Sequence, residues 1–166
     1  YPVIVLDKIT YCADIQRLAT VKNDINFIKG DICDKKCVEQ LLAKEHPRAI
    51  IHFAAETHVD RSILENKIFL ETNVLGTQNL IDCSLKYGIK KFIHISTDEV
   101  YGPRSAGRFK ETAPLNPRNP YAASKAAAEL LIQAAINTYQ FPATIVRPAN
   151  NYGPWQFPEK LIPVIT

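Results

Sequence analysis

The chain has 166 residues, of which 46% are hydrophobic and 22% charged, the size and apolar content of one globular domain with a core. Its net charge of +3 comes from 20 basic and 17 acidic residues mixed along the sequence, without the basic stripe of a nucleic-acid-binding protein. No apolar run approaches the roughly 18 residues of a membrane span, and the start lacks the features of a signal peptide. We therefore expect a soluble, cytoplasmic protein that binds neither nucleic acid nor membranes.

Short apolar runs followed by turn residues recur along the chain and predict strands. They are nearly continuous in apolar residues, which is typical of strands buried on both faces; they lie at residues 2–7, 25–31, 48–55, 90–97 and 142–149. Segments with helical spacing lie between them, at residues 13–19, 35–45, about 62–86 and 121–139. This alternation predicts an α/β fold with a parallel sheet. We see no repeat or linker and expect one domain.

The ends of the first three strands offer groups that suit a dinucleotide. Asp7 can accept hydrogen bonds from the ribose hydroxyls of an adenine dinucleotide, and its charge favours NAD over NADP, although it can equally be a helix cap. Asp31 and Ile32 can bracket an adenine ring, or Asp31 can cap the helix that starts near Lys35. The small residues after Phe53 let the backbone approach a diphosphate, or simply pack strand against helix.

The fourth strand and the last helix supply chemistry. Tyr121 and Lys125 are four residues apart, which puts the phenol and the ammonium on one face of a helix, and Lys125 and an oxidised nicotinamide would both favour the phenolate. The fourth strand ends in Thr97, Asp98 and Glu99, where open α/β sheets bind their ligands. YxxxK also occurs by chance, and the acids can be an ordinary exposed turn. The four cysteines and four histidines show no metal-binding spacing, so we expect no metal.

Taken together these motifs resemble the extended short-chain dehydrogenases/reductases, the NAD-dependent epimerase/dehydratase family, and within it the dTDP-glucose 4,6-dehydratases. The resemblance covers nearly the whole chain and implies a Rossmann-like doubly wound parallel sheet, an NAD cofactor, a nucleotide-sugar substrate and a homodimer of the full-length enzyme. It is carried by the turn after Asp7, Gly30-Asp31-Ile32, residues 54–62, 71–73 and 76–77, NPYAASKAAAE from Asn119, residues 147–154 and residues 157–163.

The resemblance also implies site residues, carried over by position. Contacts with NAD are expected from Asp7, Lys8, Ile9, Thr10, Asp31, Ile32, Phe53, Ala54, Ala55, Thr57, Thr72, Tyr121, Lys125 and Asn151. Contacts with the sugar nucleotide are expected from Thr57, Thr97, Asn150, Lys160, Leu161 and Ile162. The catalytic residues are expected to be Thr97, Asp98, Glu99, Tyr121 and Lys125.

In the implied reaction the sugar is transiently oxidised to a ketone at C4. The ketone makes the C5 proton acidic, so that water can be eliminated from C5 and C6. Tyr121, tuned by Lys125, takes the 4-hydroxyl proton while Thr97 hydrogen-bonds the same oxygen. Glu99 removes the C5 proton and Asp98 protonates the departing C6 hydroxyl, so the two acids need opposite protonation states. The Asp98–Glu99 pair favours this lyase over a 4-epimerase or decarboxylase of the same superfamily.

The sequence departs from the family pattern at both ends. The glycine-rich turn expected about twenty residues before Asp7 is absent, and with it the central strand, between the strands ending at Asp7 and Phe53. Most of the C-terminal substrate-binding region is absent as well. We therefore expect residues 1–166 to be a partial NAD-binding Rossmann domain that is inactive by itself. A fragment of a longer enzyme and a naturally truncated, non-catalytic relative both remain open.

Overall fold

Strands alternate with helices in the computed structural model, which describes residues 2–159 and 161–165. The strands are β1 Val3–Asp7, β2 Ile25–Lys29, β3 Ala49–His52, β4 Lys91–Ile95 and β5 Ala143–Val146. The helices are α1 Lys35–Glu45, α2 Val59–Leu64, α3 Lys67–Phe69, α4 Thr77–Lys86, α5 Pro120–Tyr139 and α6 Leu161–Ile165. There are also 3₁₀ turns at Ile15–Leu18 and Asp98–Tyr101 and a π-helical segment at Leu70–Gly76. The predicted strands are confirmed, each somewhat shorter than expected.

All strand pairs in the described residues are parallel. β1 pairs with β2 from Val3↔Ile25 to Asp7↔Lys29, and a separate sheet has the order β3-β4-β5. Parallel strands joined by helices are the Rossmann-like arrangement that the sequence predicts. Because the strands run in one direction, their carboxyl ends bring the turns that carry the predicted site residues to one edge of each sheet.

One hydrophobic cluster connects the two sheets. Its centre is formed by Phe92, Ile81 and Ile132, whose exposed fractions are 0%, 1% and 0%. Burying each of these side chains contributes about 1.5–3 kcal/mol. Leu6 of β1 and Ile50 of β3 pack against the same cluster. The two sheets are therefore joined by side-chain packing, and the described helices include none that is long and apolar enough to cross a membrane.

The expectation that the strands are buried on both faces is wrong for the edge strands. Ile51 is 55% exposed and Val3 is 51% exposed, while His52, the next residue after Ile51, is 3% exposed. Side chains alternate between the faces of a strand, and the face that carries His52 meets Thr77 of α4 and Phe92 of the hydrophobic cluster. The apolar runs therefore predict the strands correctly but not which faces are covered.

The single long helix predicted at residues 62–86 is also wrong. The chain leaves the helical conformation at Glu65 (φ −144°, ψ 92°), restarts as α3, and passes through the π-helical segment before α4. Apolar spacing continues across this break, so periodicity does not detect it. The predicted helix at residues 13–19 is a single 3₁₀ turn, capped by Asp14. The helices predicted at residues 35–45 and 121–139 are confirmed.

Candidate active site

The end of β4 carries the predicted hydroxyl and the two carboxyls. Thr97 is buried at 7% exposure, and its Oγ1 accepts a hydrogen bond from the Glu99 N–H at 3.3 Å, which caps the 3₁₀ turn Asp98–Tyr101. The Asp98 side chain is exposed and Glu99 is half-buried. Both carboxyls lie at the carboxyl edge of the sheet, beside a cavity of about 280 Å³ that Asp98, Glu99, Phe109, Arg118 and Asn119 help to line.

Helix α5 carries three buried ionisable side chains, two facing the end of β4 and the third facing Arg147 after β5. Tyr121, Lys125 and Glu129 follow one another at intervals of four residues and are 8%, 2% and 0% exposed. That spacing places them on one helix face, as the sequence predicts for the first two. We call Thr97–Glu99 together with these three side chains the β4–α5 wall.

The Tyr121 phenol and the Lys125 ammonium are held differently from the expectation. Burial raises the pKa of Tyr121, a hydrogen bond with Thr97 lowers it, and the charges of Glu99 and Asp98 raise it further. Lys125 Nζ donates to the backbone oxygen of Ile95 at 2.7 Å, and burial lowers the pKa of Lys125 to about 8. Burial thus outweighs the hydrogen bond at the phenol, and Lys125 is not among the groups that shift the pKa of Tyr121; that Lys125 and an oxidised nicotinamide favour the phenolate stays a prediction.

A buried ion pair that the sequence reasoning missed anchors the wall. Arg147 follows β5 and donates from Nε to both Glu129 oxygens at 3.0 Å and from Nη2 to Oε2 at 2.6 Å. Its Nη1 donates to the Tyr101 hydroxyl and to the backbone oxygen of Glu111. The hydrogen bonds from Arg147 thus connect β5, α5 and the loop after β4. The available signal was a lone acid in an apolar stretch of helix, since such a residue is seldom buried without a partner.

Asn119 is a second missed residue. Its Oδ1 accepts a hydrogen bond from the Ala122 N–H at 2.7 Å and caps α5, and its Nδ2 donates to Glu99 Oε2 at 2.9 Å. An asparagine before a proline at the start of a helix is a recognisable N-cap signal. The sequence shows the cap, but it does not show the bond to Glu99.

The loop between the 3₁₀ turn and α5 is closed at its base. The Asn116 N–H donates to the Val100 oxygen at 2.8 Å, and a Cβ atom on Gly102 (φ 76°) would lie 2.3 Å from the Asn116 oxygen. The position therefore excludes side chains both by conformation and by space. Tyr101 stacks on Phe109 with ring centroids 4.8 Å apart, which holds the loop to the wall.

The turns after β1 and β2 form a second region, the β1–β2 rim, consisting of residues 7–10 and 31–32. Asp7 is exposed, and its Oδ1 accepts a hydrogen bond from the Ile9 N–H at 2.7 Å in a turn where Ile9 has φ 57°. Lys8 Nζ lies 2.6 Å from Asp31 Oδ2. Thr10 is exposed. The structure thus brings the predicted ribose and adenine residues of the two turns together.

Neither acid of the β1–β2 rim is a helix cap, so that alternative is wrong for both. Asp31 Oδ1 accepts a hydrogen bond from the Cys33 N–H at 2.9 Å, within a local turn. The residue that caps α1 is Asp34, which accepts from the Cys37 N–H at 3.1 Å. Ile32 is 7% exposed and belongs to the hydrophobic core. Only a small part of its side chain is open to a ligand.

The loop after β3 is tied to the wall by a buried asparagine. Phe53 is 69% exposed, while Ala54, Ala55 and Thr57 are half-buried. Asn73 lies in the π-helical segment, next to the half-buried Thr72. Its Oδ1 accepts a hydrogen bond from the Glu56 backbone N–H at 2.8 Å, and its Nδ2 donates to the Glu56 backbone oxygen at 2.9 Å. It also donates to the Ser124 hydroxyl at 2.9 Å. π-Helical segments recur at functional sites, and this one holds the loop that the sequence assigns to the cofactor.

The last predicted residues lie in the loop after β5 and in α6. Asn150 and Asn151 are both exposed, and Asn151 Nδ2 donates to the Ala149 oxygen at 3.0 Å within its own loop. Leu161 starts α6 and the Ile162 side chain is 38% exposed. Lys160 lies outside the described residues. Their loop starts beside the β4–α5 wall, because the Asp98 N–H donates to the backbone oxygen of Pro148 at 3.1 Å.

A contact between distant segments was also missed. The Tyr11 hydroxyl donates to Glu159 Oε2 at 2.8 Å, and the Arg61 guanidinium lies 3.9 Å from the centre of the Tyr11 ring. Phe157 meets the same ring edge-on at 5.7 Å. These contacts hold the chain before α6 against the turn that follows β1.

Two histidines are buried beneath the wall in the β3-β4-β5 sheet. His52 Nε2 lies 2.9 Å from Thr77 Oγ1, whereas both ring nitrogens of His94 lack a hydrogen-bond partner in the described part of the chain. Burial lowers the pKa of His52 to about 3 and that of His94 to about 2. Both rings are therefore neutral at physiological pH. Within residues 2–159 and 161–165 no group of three or more His, Cys, Asp or Glu side chains is arranged to hold a metal ion.

Comparison with known proteins decides the family. The family model described as GDP-mannose 4,6 dehydratase matches residues 1–166. The chain belongs to this family. It is 47% identical over 165 residues to the dTDP-D-glucose 4,6-dehydratase of Mus musculus, a match that covers 98% of this chain and 46% of that protein. The chain thus spans about half the length of the curated relatives it matches.

Solved structures agree with the fold. DesIV, a dTDP-glucose 4,6-dehydratase from Streptomyces venezuelae with NAD and TYD bound, superposes with a TM-score of 0.95 and 47% identity, covering 98% of this chain and 51% of that one. The UDP-glucose 4-epimerase of Thermotoga maritima with UDP-glucose gives a TM-score of 0.88 and 30% identity, covering 96% and 51% of the two chains. The similarity is greater to the dehydratase.

Proposed function

We propose that this chain is part of an NAD-dependent nucleotide-sugar 4,6-dehydratase, a lyase that converts dTDP-glucose to dTDP-4-keto-6-deoxyglucose. The observation that carries the proposal is the position of Thr97, Asp98 and Glu99 beside the Tyr121 phenol. Thr97 forms a hydrogen bond with the phenol, and the charges of the two acids raise its pKa. A tyrosine and a lysine suffice for oxidising an alcohol, whereas an added acid and base are what the loss of water requires. The greater similarity to dTDP-glucose 4,6-dehydratases supports the same choice.

The residues present fit the two ends of NAD. The exposed Asp7 carboxylate suits ribose hydroxyls, and the half-buried Ala54 and Ala55 allow a close approach of the ligand. Tyr121 and Lys125 lie at the edge where the nicotinamide would meet the sugar. When bound, NAD supplies a hydride acceptor at C4 that later returns the hydride to C6. The assignment of residues 1–166 to part of an NAD-binding Rossmann domain belongs to this proposal.

For the oxidation, Tyr121 takes the proton of the 4-hydroxyl and Thr97 hydrogen-bonds the same oxygen. The Tyr121–Thr97 hydrogen bond lowers the pKa of the phenol against burial, which raises it. Lys125 positions helix α5, because its Nζ donates to the backbone oxygen of Ile95 and so fixes the helix against the end of β4. The positive charge of the oxidised nicotinamide, when NAD is bound, would further favour the phenolate.

For the loss of water, Glu99 takes the C5 proton once C4 is a ketone, and Asp98 gives a proton to the departing C6 hydroxyl. Glu99 is half-buried and fixed by two side chains, Thr97 and Asn119, as suits a base that must meet one carbon. Asp98 is exposed at the mouth of the cavity, where it can take up a proton again from water. The sugar is neither oxidised nor reduced overall.

The sugar-nucleotide contacts from Thr57, Asn150 and the segment 160–162 remain part of the proposal. A homodimer of the complete enzyme remains part of the proposal as well. A cytoplasmic location remains a prediction of the sequence.

The decisive experiment uses the complete enzyme with NAD and, in turn, dTDP-glucose and UDP-glucose. We expect a 4-keto-6-deoxy product, formed faster from dTDP-glucose. A 4-epimerase would instead yield the 4-epimer of the sugar with its C6 hydroxyl retained. Product analysis by mass and by proton NMR separates the two reactions.

A further inference from the structure

One side chain connects the two steps of the proposed reaction. Asn119 Oδ1 caps the helix that carries Tyr121 by accepting from the Ala122 N–H at 2.7 Å. The Nδ2 of the same amide donates to Glu99 Oε2 at 2.9 Å. Tyr121 is the base of the oxidation and Glu99 that of the elimination, so a single planar group fixes their separation.

The orientation of the amide follows from chemistry. A backbone N–H only donates, so Oδ1 must face Ala122, which leaves Nδ2 to donate to Glu99. Flipping the amide would break both bonds. The geometry therefore makes Oε2 the Glu99 oxygen that accepts from Asn119.

The bond also distinguishes the two Glu99 oxygens. Oε2 is held by Asn119, and the Glu99 backbone is held by Thr97, so the carboxylate has little freedom to rotate. Oε1 is the oxygen that Asn119 leaves for the substrate. Hydrogen bonds to charged groups are among the stronger ones in proteins, so the constraint is substantial.

We propose that Asn119 is a positioning residue that holds Glu99 Oε2 so that Oε1 takes the C5 proton at a fixed distance from Tyr121. The inference rests on the proposed function. In this step the C5–H bond breaks, its proton goes to Oε1, and its electron pair forms the C5–C6 double bond. The C6 hydroxyl leaves as water with a proton from Asp98, so the step involves no oxidant or reductant.

The test is Asn119→Ser in the complete enzyme. Serine keeps a hydroxyl that caps the helix but lacks the amide donor that reaches Glu99. We expect removal of the C5 proton to slow about tenfold, the low end for a hydrogen bond to a charged group, with the oxidation rate unchanged. Substrate deuterated at C5 should show a larger isotope effect on turnover than with the parent enzyme, and substrate deuterated at C4 should not. Asn119→Asp keeps the cap but sets two carboxylates together, and should slow the same step further.

Asp34→Ser is the matched control, because it exchanges the cap of α1, where Asp34 accepts from the Cys37 N–H at 3.1 Å. It should leave both isotope effects unchanged. A purely structural Asn119 would lower the unfolding temperature and slow both steps alike in Asn119→Ser, which would overturn the proposal, as would kinetics equal to those of the parent. When one of these contrary results is found and the parent enzyme still forms the 4-keto-6-deoxy product, the role of Asn119 is refuted and the proposed function stands. If the parent forms none, the proposed function fails as well.

Discussion

The β4–α5 wall and the β1–β2 rim are built on different physical principles. In the wall, Tyr121, Lys125 and Glu129 are nearly inaccessible to solvent, and their partners come from distant parts of the chain. In the rim, Asp7 accepts from the amide two residues further on, and so does Asp31. The wall is thus fixed by buried tertiary contacts, and the rim by local turns joined by one exposed ion pair, Lys8 with Asp31.

The difference fits the two tasks. Proton transfer needs donors and acceptors held within a fraction of an ångström, and only a packed interior provides that. Recognition of a ribose or a base needs exposed acceptors, whose final positions the ligand itself helps to set. We therefore expect substitutions in the wall to affect stability and chemistry strongly, and substitutions in the rim to affect mainly ligand affinity.

The largest expected effect is on the anchor of the wall. Glu129→Gln removes the charge that pairs with the Arg147 guanidinium. In this pair the Glu129 side chain is 0% exposed and the Arg147 side chain is 14% exposed. Breaking such a buried pair costs about 3–5 kcal/mol. Denaturant unfolding of the complete protein measures this loss. The control is Glu39→Gln, which removes an ion pair with Lys86 at 2.8 Å in which the side chains are 27% and 57% exposed, and should reduce stability far less because solvent screens an exposed pair. Equal losses in the two variants would contradict the comparison.

Tyr121→Phe should lower turnover by at least about a hundredfold, because it deletes the base of the oxidation. Steady-state product formation measures the effect, and the unfolding midpoint shows that the fold is retained. Tyr139→Phe is the control on the same helix, where the side chain is 63% exposed and away from the wall. Unchanged turnover in Tyr121→Phe would remove the phenol from the mechanism.

His94→Leu should remove part of the acid sensitivity of the fold. The folded pKa of His94, about 2, lies below the unfolded value of 6.5, so the unfolded state binds the proton first as pH falls. Stability from the neutral ring is complete above pH 6.5 and is lost progressively as pH falls toward 2. At about pH 5, one such histidine lowers the free energy of unfolding by about 2 kcal/mol relative to neutral pH.

Unfolding curves of parent and His94→Leu between about pH 5 and pH 8 test this directly. The parent should lose more stability on acidification than the variant. Parallel pH dependence in the two proteins would show that the buried ring does not titrate in this way.

The smallest effect is expected in the rim. Lys8→Met removes the ion pair with Asp31, in which the side chains are 54% and 27% exposed, so stability should change by less than about 1 kcal/mol. The affinity of the complete enzyme for NAD is the more sensitive readout. A loss of stability as large as that of Glu129→Gln would show that the rim is held by more than local turns.

The sequence predicts those parts of the molecule that depend on local pattern. The apolar runs locate the strands, and the spacing of Tyr121 and Lys125 places both on one helix face. Two predictions are wrong: burial on both faces of the edge strands, and an unbroken helix over residues 62–86. Both features depend on what packs against a segment. Residue types alone do not report that.

The missed contacts share one cause. Asn119 with Glu99 and Arg147 with Glu129 join residues that are about twenty positions apart, so no local motif contains both partners. Each pair includes a polar residue in an unusual setting, such as Glu129 within an apolar helix. Such residues indicate that a partner exists, but the partner is identified only when the fold brings the two together.

The closed base of the loop after β4 makes its tip a place to lengthen the chain. The loop is fastened by the bond from Asn116 to Val100 and by the tight approach at Gly102, and its middle is held by Arg147 at Glu111. Residues 103–108 are exposed beyond these fastenings. Doubling the length of a flexible loop costs only about 0.6 kcal/mol, because the closure entropy grows with the logarithm of length. An epitope or reporter peptide inserted after Ser105 should therefore be tolerated, while the acids at the base of the loop keep their places.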